Sequence, residues 1–381
     1  MKGGKRMKRI GLFSVILLGT IAAFYMQPVF FPPKVEEKQP AEQQFEEKQR
    51  TAWKYQKMKA TGFSTYINHS IDDLEKVFGK AADKADSGFG FETRYYHDVS
   101  GEYFEVNVEG DKVTAVKFLK GSNQMIEPFS FGMSMQDLTA YTTIYTNFTF
   151  DYHGEEVGLE LMEEDMNYRP LVAFDNDTFA ILFFDQTSGE LFAAVYLNKE
   201  SLLKLLPYQV FGRNLPVYKF DSSADWSAIN QKKTEKSITL LNFLRRRDQL
   251  PTYETSVELQ QSASSILSNF LTSPEETLSD ERMADWEKAS QSISTAREFN
   301  LMNNEMHVLL ENNDAADAEG LFSHPIIDPG FSFLFWYSDP FNHDRFMADN
   351  QDSLSIAFSK ENVLVLMKED QTKGSDSGDY Q

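Results

Sequence analysis

The spacing of apolar and polar positions changes three times along the 381-residue chain. Ile10 to Met26 is an apolar run of seventeen residues without a charge, long enough for roughly 25 Å of helix at about 1.5 Å per residue. From about Lys59 to Leu206 the period is mostly that of strands. Phe104, Val106 and Val108 alternate with polar residues, Gly110-Asp111 offers a turn, and Val113, Ala115 and Phe118 follow; pattern and turn chemistry together predict a hairpin. Phe179 to Phe184 and Leu191 to Leu197 form a second pair around Ser188-Gly189, apolar enough to be buried on both faces. From about Asp225 to Asn313 the period becomes helical: Leu259, Ala263, Ile266, Leu267 and Phe270 in one stretch, Met283, Trp286, Ala289 and Ile293 in another. Ser353 to Phe358 and Val363 to Met367 read as a closing hairpin across Lys360-Glu361.

The strand-rich region carries a sign of duplication. Ser70-Ile-Asp-Asp73-Leu74 and Ser134-Met-Gln-Asp137-Leu138 each place a serine three residues before an acid, ahead of an amphipathic stretch. A serine so placed caps the free N–H groups of a first helical turn. Two helix-plus-meander units side by side are therefore expected. Around them, prolines 28, 32, 33 and 40 punctuate a Glu-, Gln- and Lys-rich stretch, and the last ten residues hold no core formers. The expected organisation is a basic end and transmembrane anchor (1–33), a stalk (34–58), a strand-rich domain (59–206), a helix-rich domain (225–370) and a disordered tail (371–381). The joint at Pro207 to Pro216 separates regions of different texture, each expected to have its own core.

Composition narrows the setting. Apolar residues at 41% and charged residues at 25% are a globular balance. The chain has 37 basic and 58 acidic residues; setting aside Lys2, Lys5, Arg6, Lys8 and Arg9 leaves a body of net charge −26. Such a body repels phosphate backbones, which argues against nucleic acid as a partner. The basic cluster before the apolar run places residues 27–381 outside the cytoplasm. Ala22 and Ala23 run straight into Phe24, Tyr25 and Met26, which suits a membrane interface better than a cleavage site. With no cysteine, disulfides, thiolate metal sites and a cysteine nucleophile are excluded.

Ile71 to Gly79, Ser87-Gly-Phe-Gly90, Tyr95-Tyr96 and Tyr103 to Lys117, continuing through Pro128 to Met133, Phe174-Asp175 and Leu206-Pro207-Tyr208, follow one order of motifs. In that order they resemble the CAP-associated N-terminal domain of Gram-positive cell-surface proteins, a module that precedes a CAP (SCP-like) domain and brings no assigned enzymatic activity. The helix-rich region resembles a CAP domain in turn. Asn242-Phe-Leu-Arg245 matches that family's Asn-x-x-Arg helix, and Trp336, Ser338 and His343-Asp-Arg345 approximate its Trp, Ser and His-Arg pattern. Where the family has a histidine in its Ala-x-x-His-Ser helix, this chain has Ile266. The resemblance implies an α+β, two-domain ectodomain, its second part a CAP-like α-β-α sandwich with an eroded site, behind one transmembrane helix.

His324, Asp328, His343 and Asp344 are the one tempting constellation. CAP domains can hold a divalent ion through two histidines and two acids, but Ile266 removes one ligand position. His324 and His343 are thus weak metal candidates, and no catalytic residue, cofactor motif or cofactor is assigned. As a loop residue, His343 is expected to tolerate alanine at a cost under about 0.5 kcal/mol. Phe331 to Tyr337, the densest aromatic run, reads either as a groove lining or as a buried central element. Arg245-Arg246-Arg247 is the only basic cluster of the body. The expected function is binding: an envelope interaction module whose partner is another envelope or membrane protein or a cell-wall component, with an envelope hydrolase as the alternative.

Overall fold

Capping decides where the first helices start. The Ser70 hydroxyl accepts the Asp72 N–H at 3.3 Å ahead of α1 (Ile71–Phe78). The Ser134 hydroxyl accepts the Asp137 N–H at 3.2 Å ahead of α2 (Met135–Leu138), and the Asp137 carboxylate accepts the Ser134 N–H at 2.9 Å. Two orphan N–H groups are thereby satisfied reciprocally. The computed structural model describes residues 54–97, 101–291 and 298–369. The expected anchor, nearly all of the stalk, the tail and Ile293 lie outside them. No helix among the described residues is long and apolar enough to cross a membrane.

The strands of the first region are β1 (Lys57–Met58), β2 (Asp83–Asp86), β3 (Glu92–His97), β4 (Tyr103–Glu109), β5 (Lys112–Lys120), β6 (Asn147–Tyr152), β7 (Glu155–Glu160), β8 (Leu171–Phe174), β9 (Thr178–Phe184), β10 (Leu191–Asn198) and β11 (Gln209–Phe211). Eight of them form one sheet in the order β1-β8-β9-β10-β5-β4-β3-β2, while β11, β7 and β6 form a small second sheet. Antiparallel β5 and β10 lie at the centre of the large sheet, and a meander runs outward from each. Ser70 bridges to Lys112 at the start of β5, and Ser134 bridges to Glu190 just before β10. The two capped helix starts thus sit at matching places on the two meanders, as the paired serine motifs suggested. Two further helices, α3 (Glu163–Tyr168) and α4 (Lys199–Leu205), flank β8 to β10 in the chain.

The second region contains α5 (Trp226–Arg247), α6 (Val257–Thr272), α7 (Asp280–Ser290), α8 (Asn303–Glu311), α9 (Pro329–Tyr337) and α10 (Pro340–Met347). Its sheet has the order β12-β13-β15-β14, built from β12 (Phe299–Asn300), β13 (Glu319–His324), β14 (Ser353–Ser359) and β15 (Asn362–Lys368). The short β12 falls inside the stretch whose pattern was helical throughout.

Alternation along the strands sorts side chains into layers. One face of the large sheet (Phe104, Val106, Val116, Phe118, Leu182, Tyr196) packs under Phe63, Ile71, Leu74, Phe129 and Leu138. One face of the four-stranded sheet (Phe322, Ala357, Leu364, Leu366) packs against α6, α7 and α8 through Ile266, Phe270, Trp286 and Leu309. The two remaining faces meet each other's helices in a single apolar cluster. Phe179, Ile181, Phe183 and Val195 of the large sheet, Leu240 and Leu244 of α5, Phe331, Phe333, Leu334, Trp336 and Tyr337 of α9 and Ile356, Val363 and Val365 of the four-stranded sheet all belong to it. The four-stranded sheet therefore has helices on both faces.

Each region thus has an apolar layer of its own, as expected, but the third cluster joins them, which corrects the expectation that the cores are separate. The joint runs along the surface, with Gln209 and Gly212 to Asn214 exposed, but it is anchored at both sides: Tyr208 is buried and its hydroxyl donates to the Arg169 carbonyl at 2.6 Å, and Tyr218, just beyond it, is buried too. The described residues, all within 54–369, accordingly fall in one unit. Limited proteolysis of the native protein should leave one resistant fragment spanning the joint. Two stable fragments separated near residue 212 would show that the halves hold together independently.

Candidate functional site

Two Asp-Pro pairs open the helices on which the site is built. Asp328 precedes Pro329 and accepts the Phe331 N–H at 3.1 Å; Asp339 precedes Pro340 and accepts the Asn342 N–H at 2.9 Å. An acidic N-cap followed by proline at the first helical position supplies both the missing acceptor and the preset φ. Ser338 alone caps the end of α9 before Asp339 starts the next turn, so α9 and α10 are held in fixed relation.

Asp328 does more than cap. The Lys117 ammonium lies 2.6 Å from its Oδ1 and 3.0 Å from Glu105 Oε2, and donates to Asn107 Oδ1 at 3.2 Å. The Asn107 amide in turn donates to Asp328 Oδ2 at 2.6 Å. Lys117, Glu105 and Asp328 are all at most 3% exposed. Burial opposes the Lys117 charge, but the Asp328 and Glu105 carboxylates outweigh it and the pKa lies above its ordinary value. Burial pushes Glu105 up against the pull of Lys117, with Asp328 adding to the rise. Gly330 is required here, because a Cβ on it would stand 2.3 Å from Glu105 Oε2 and 3.0 Å from Lys117 Nζ.

The other end of α9 is tied to the same large sheet. The Tyr337 hydroxyl donates to Asp185 Oδ2 at 2.7 Å, and Arg247 reaches the same oxygen at 2.6 Å. Burial works against the Asp185 charge, yet the Ser188 N–H, Tyr337 and Arg247 together hold its pKa well below the usual value. Arg169 donates to the Ser338 carbonyl and hydroxyl at 3.3 Å.

Alongside this helix opens a cleft of about 560 Å3, lined by both regions of the chain. Leu205, Leu206 and Pro207 come from the end of α4 and just beyond it, Glu298 and Asn300 to Asn303 from around β12 and the start of α8, and the rest from β13, the loop after it, α9 and α10. Phe331, Phe335 and Trp336 line its apolar wall. Met302 and Phe341, 54% and 57% exposed, also line it; among the described residues they are two of the few large apolar side chains left in water. Arg345 also lines the cleft, its guanidinium donating to the Gly320 carbonyl at 2.6 Å and lying 5.5 Å from the Phe341 ring centre. Burial holds the Arg345 pKa below its ordinary value, against a smaller upward pull from Glu319.

The residues singled out from sequence have other occupations. His324 is 1% exposed, its Nδ1 2.9 Å from Asn362 Oδ1 and its Nε2 3.2 Å from the Ala289 carbonyl. His343 is 5% exposed, its Nδ1 2.9 Å from the Tyr337 carbonyl and its ring edge-on to Tyr337. Asp344 is exposed, and Asp328 belongs to the lysine network. Among the described residues no three His, Cys, Asp or Glu side chains are grouped to hold a metal ion. Ile266 packs with Leu267, Phe270 and Trp286.

Asn242 holds a neighbouring backbone, its Oδ1 accepting the Tyr253 N–H at 2.7 Å and its amide donating to the Tyr253 carbonyl at 3.3 Å. Arg245, 1% exposed, donates to the carbonyls of Pro251 (2.6 Å), Phe346 and Ala348 (both 2.9 Å) and lies over the Tyr253 ring. The Asn-x-x-Arg pair is thus a latch on the loop after α5. The aromatic run is a helix that serves both readings, with Phe333 and Tyr337 in the core and Phe331, Phe335 and Trp336 along the cleft. Sequence reasoning missed Glu105, Asn107 and Lys117 altogether; a lysine and a glutamate on strands otherwise rich in Val and Phe were the available signal.

With this geometry in place, comparison with known proteins supplies kinship. Residues 67–208 match the family described as CAP-associated N-terminal, so this chain carries a CAP-associated N-terminal domain. Its sequence is similar to YlbC, a membrane protein of Bacillus subtilis (strain 168), at 24% identity over 242 residues, 63% of this chain and 68% of that one. Its fold is similar to that of an extracellular protein containing an SCP domain from Bacillus anthracis, with a TM-score of 0.61 and 16% identity over 84% of this chain and 99% of that one. A cysteine-rich secretory protein from Staphylococcus aureus subsp. aureus Mu50 is similar at a TM-score of 0.61 and 17% identity, over 82% and 95%. The mixed α+β architecture, large sheet and sandwich together, thus has CAP-like counterparts.

The position of His343 corrects its expected tolerance of alanine. Losing a buried ring and its hydrogen bond should cost about 1–3 kcal/mol, read as a lowered urea midpoint at unchanged m-value. A midpoint equal to wild type would return His343 to the surface.

Proposed function

We propose that this chain is an extracytoplasmic binding module of a Gram-positive envelope, held to the membrane by its apolar run at residues 10–26, and that the cleft beside α9 receives its partner without turnover. The observation that carries the reading is the cleft itself. Binding sites are concave, largely apolar and fitted with a few polar groups, and they favour domain junctions. This one has aromatic walls, two exposed apolar lips and a guanidinium, and both regions of the chain line it. The two candidate histidines support binding over hydrolysis, since each is buried and engaged with a neighbouring amide or carbonyl. The basic cluster ahead of the apolar run supports the orientation, as do a membrane-protein relative and extracellular structural counterparts.

The absence of cysteine makes one experiment address both place and cleft. Asn303, an exposed cleft residue, replaced as Asn303→Cys in the full chain, gives a single thiol. On intact protoplasts a membrane-impermeant maleimide should label it, and millimolar indole should slow the labelling. Labelling only after lysis would contradict the orientation; labelling indifferent to indole and to apolar peptides alike would contradict a binding cleft.

A further inference from the structure

Every acid on the cleft wall is occupied from its own side. Asp328 is taken by Lys117, Asn107 and the Phe331 N–H. Asp339 accepts from the Asn342 N–H, and Glu298 from the Asn300 amide at 2.9 Å. The basic group is in the opposite condition. Arg345 makes one hydrogen bond, to a carbonyl, and no carboxylate among the described residues reaches it within ion-pair distance. Glu319 acts on it only from beyond that distance, and in a body of net charge −26 a part-buried guanidinium without a contacting acid is unusual, because burying a charge favours pairing it. Its planar donor fork matches a carboxylate. Beside it stand the Phe341 ring at 5.5 Å and the side-chain amide of Asn342, which has no protein partner among the described residues.

Resting on the binding role proposed for this cleft, we infer that its ligand is a peptide segment ending in a free carboxylate behind an apolar residue, with the carboxylate on Arg345 and the last side chain against Phe341 and Trp336. A peptide fits better than a fatty acid, because an unbranched chain leaves the Asn342 amide unanswered, whereas a backbone pairs with it. The volume suits a few residues, within the usual range for small-ligand sites of about 300–1,000 Å3. The acidic body sets the specificity: further acids on the peptide are repelled, and only the terminal charge is accommodated.

The test uses the purified full-length Asn303→Cys chain and its alkylation rate, with four probes: acetyl-Gly-Gly-Phe as the free acid, the same peptide as its C-terminal amide, dodecanoate, and indole. The acid should protect the thiol at about a tenth of the amide concentration or less, as a charge-assisted pair implies. Adding Arg345→Gln should bring acid and amide together, and Arg345→Lys should keep part of the preference. Equal protection by acid and amide overturns the carboxylate inference and leaves the binding role standing. So does protection by indole with none by either peptide. Stronger protection by dodecanoate than by the acid overturns the peptide identity. No protection by any of the four overturns both the inference and the binding role.

Discussion

Lys117 stands in the middle of a strand with its ammonium shared among Asp328, Glu105 and Asn107 and almost no access to water. Taking such charges out of water costs several kcal/mol per ion, and only good geometry with satisfied donors offsets it. Here three acceptors meet three ammonium donors, while the aspartate also caps α9. The network is not a cheap source of stability, since two carboxylates around one ammonium leave a surplus acid, and Glu105 responds with a raised pKa. It does fix position: α9 docks where Asp328 finds Lys117, and Tyr337 then reaches Asp185 at the far end.

The rest of the molecule follows from that docking. With α9 pinned at both ends, its apolar side chains fill the space between the two sheets, and the cleft opens along the flank that the sheets leave uncovered. The CAP-like pattern residues are spent on the same purpose. Asn242 and Arg245 latch the loop after α5, and His343 braces the end of α9 through the Tyr337 carbonyl. The polar side chains that the sequence pattern singled out are here part of the packing, and the cleft is lined by Arg345, Phe341 and Trp336 instead.

Much of this was legible where one period and one turn signal agreed. The hairpins at Gly110-Asp111, Ser188-Gly189 and Lys360-Glu361 form as their alternation indicates, and the serine caps mark α1 and α2. The aromatic run was ambiguous for a physical reason: a segment apolar on every side has no periodicity to separate helix from strand. Glu105, Asn107 and Lys117 look like the wet side of a half-buried hairpin, because alternation reports two faces without saying what covers the second. Pro207 to Pro216 has linker composition and runs along the surface as that composition suggests; only Tyr208 hinted that it is anchored in the core. Arg345 carried no signal beyond its place in the His-Asp-Arg pattern, since whether a guanidinium is paired is settled by residues far away in sequence.

The central claim is that a buried lysine joins the two halves energetically as well as geometrically. A double-mutant cycle on Lys117→Met and Asp328→Asn, read by urea unfolding, tests it most directly; asparagine preserves the cap while removing the charge. Each single change should destabilise by about 3–5 kcal/mol, since it strands a buried partner. The double variant should cost less than the sum by at least about 1 kcal/mol. Additivity within about 0.5 kcal/mol would contradict the account, because it would mean that the two residues, 211 positions apart, do not act on each other.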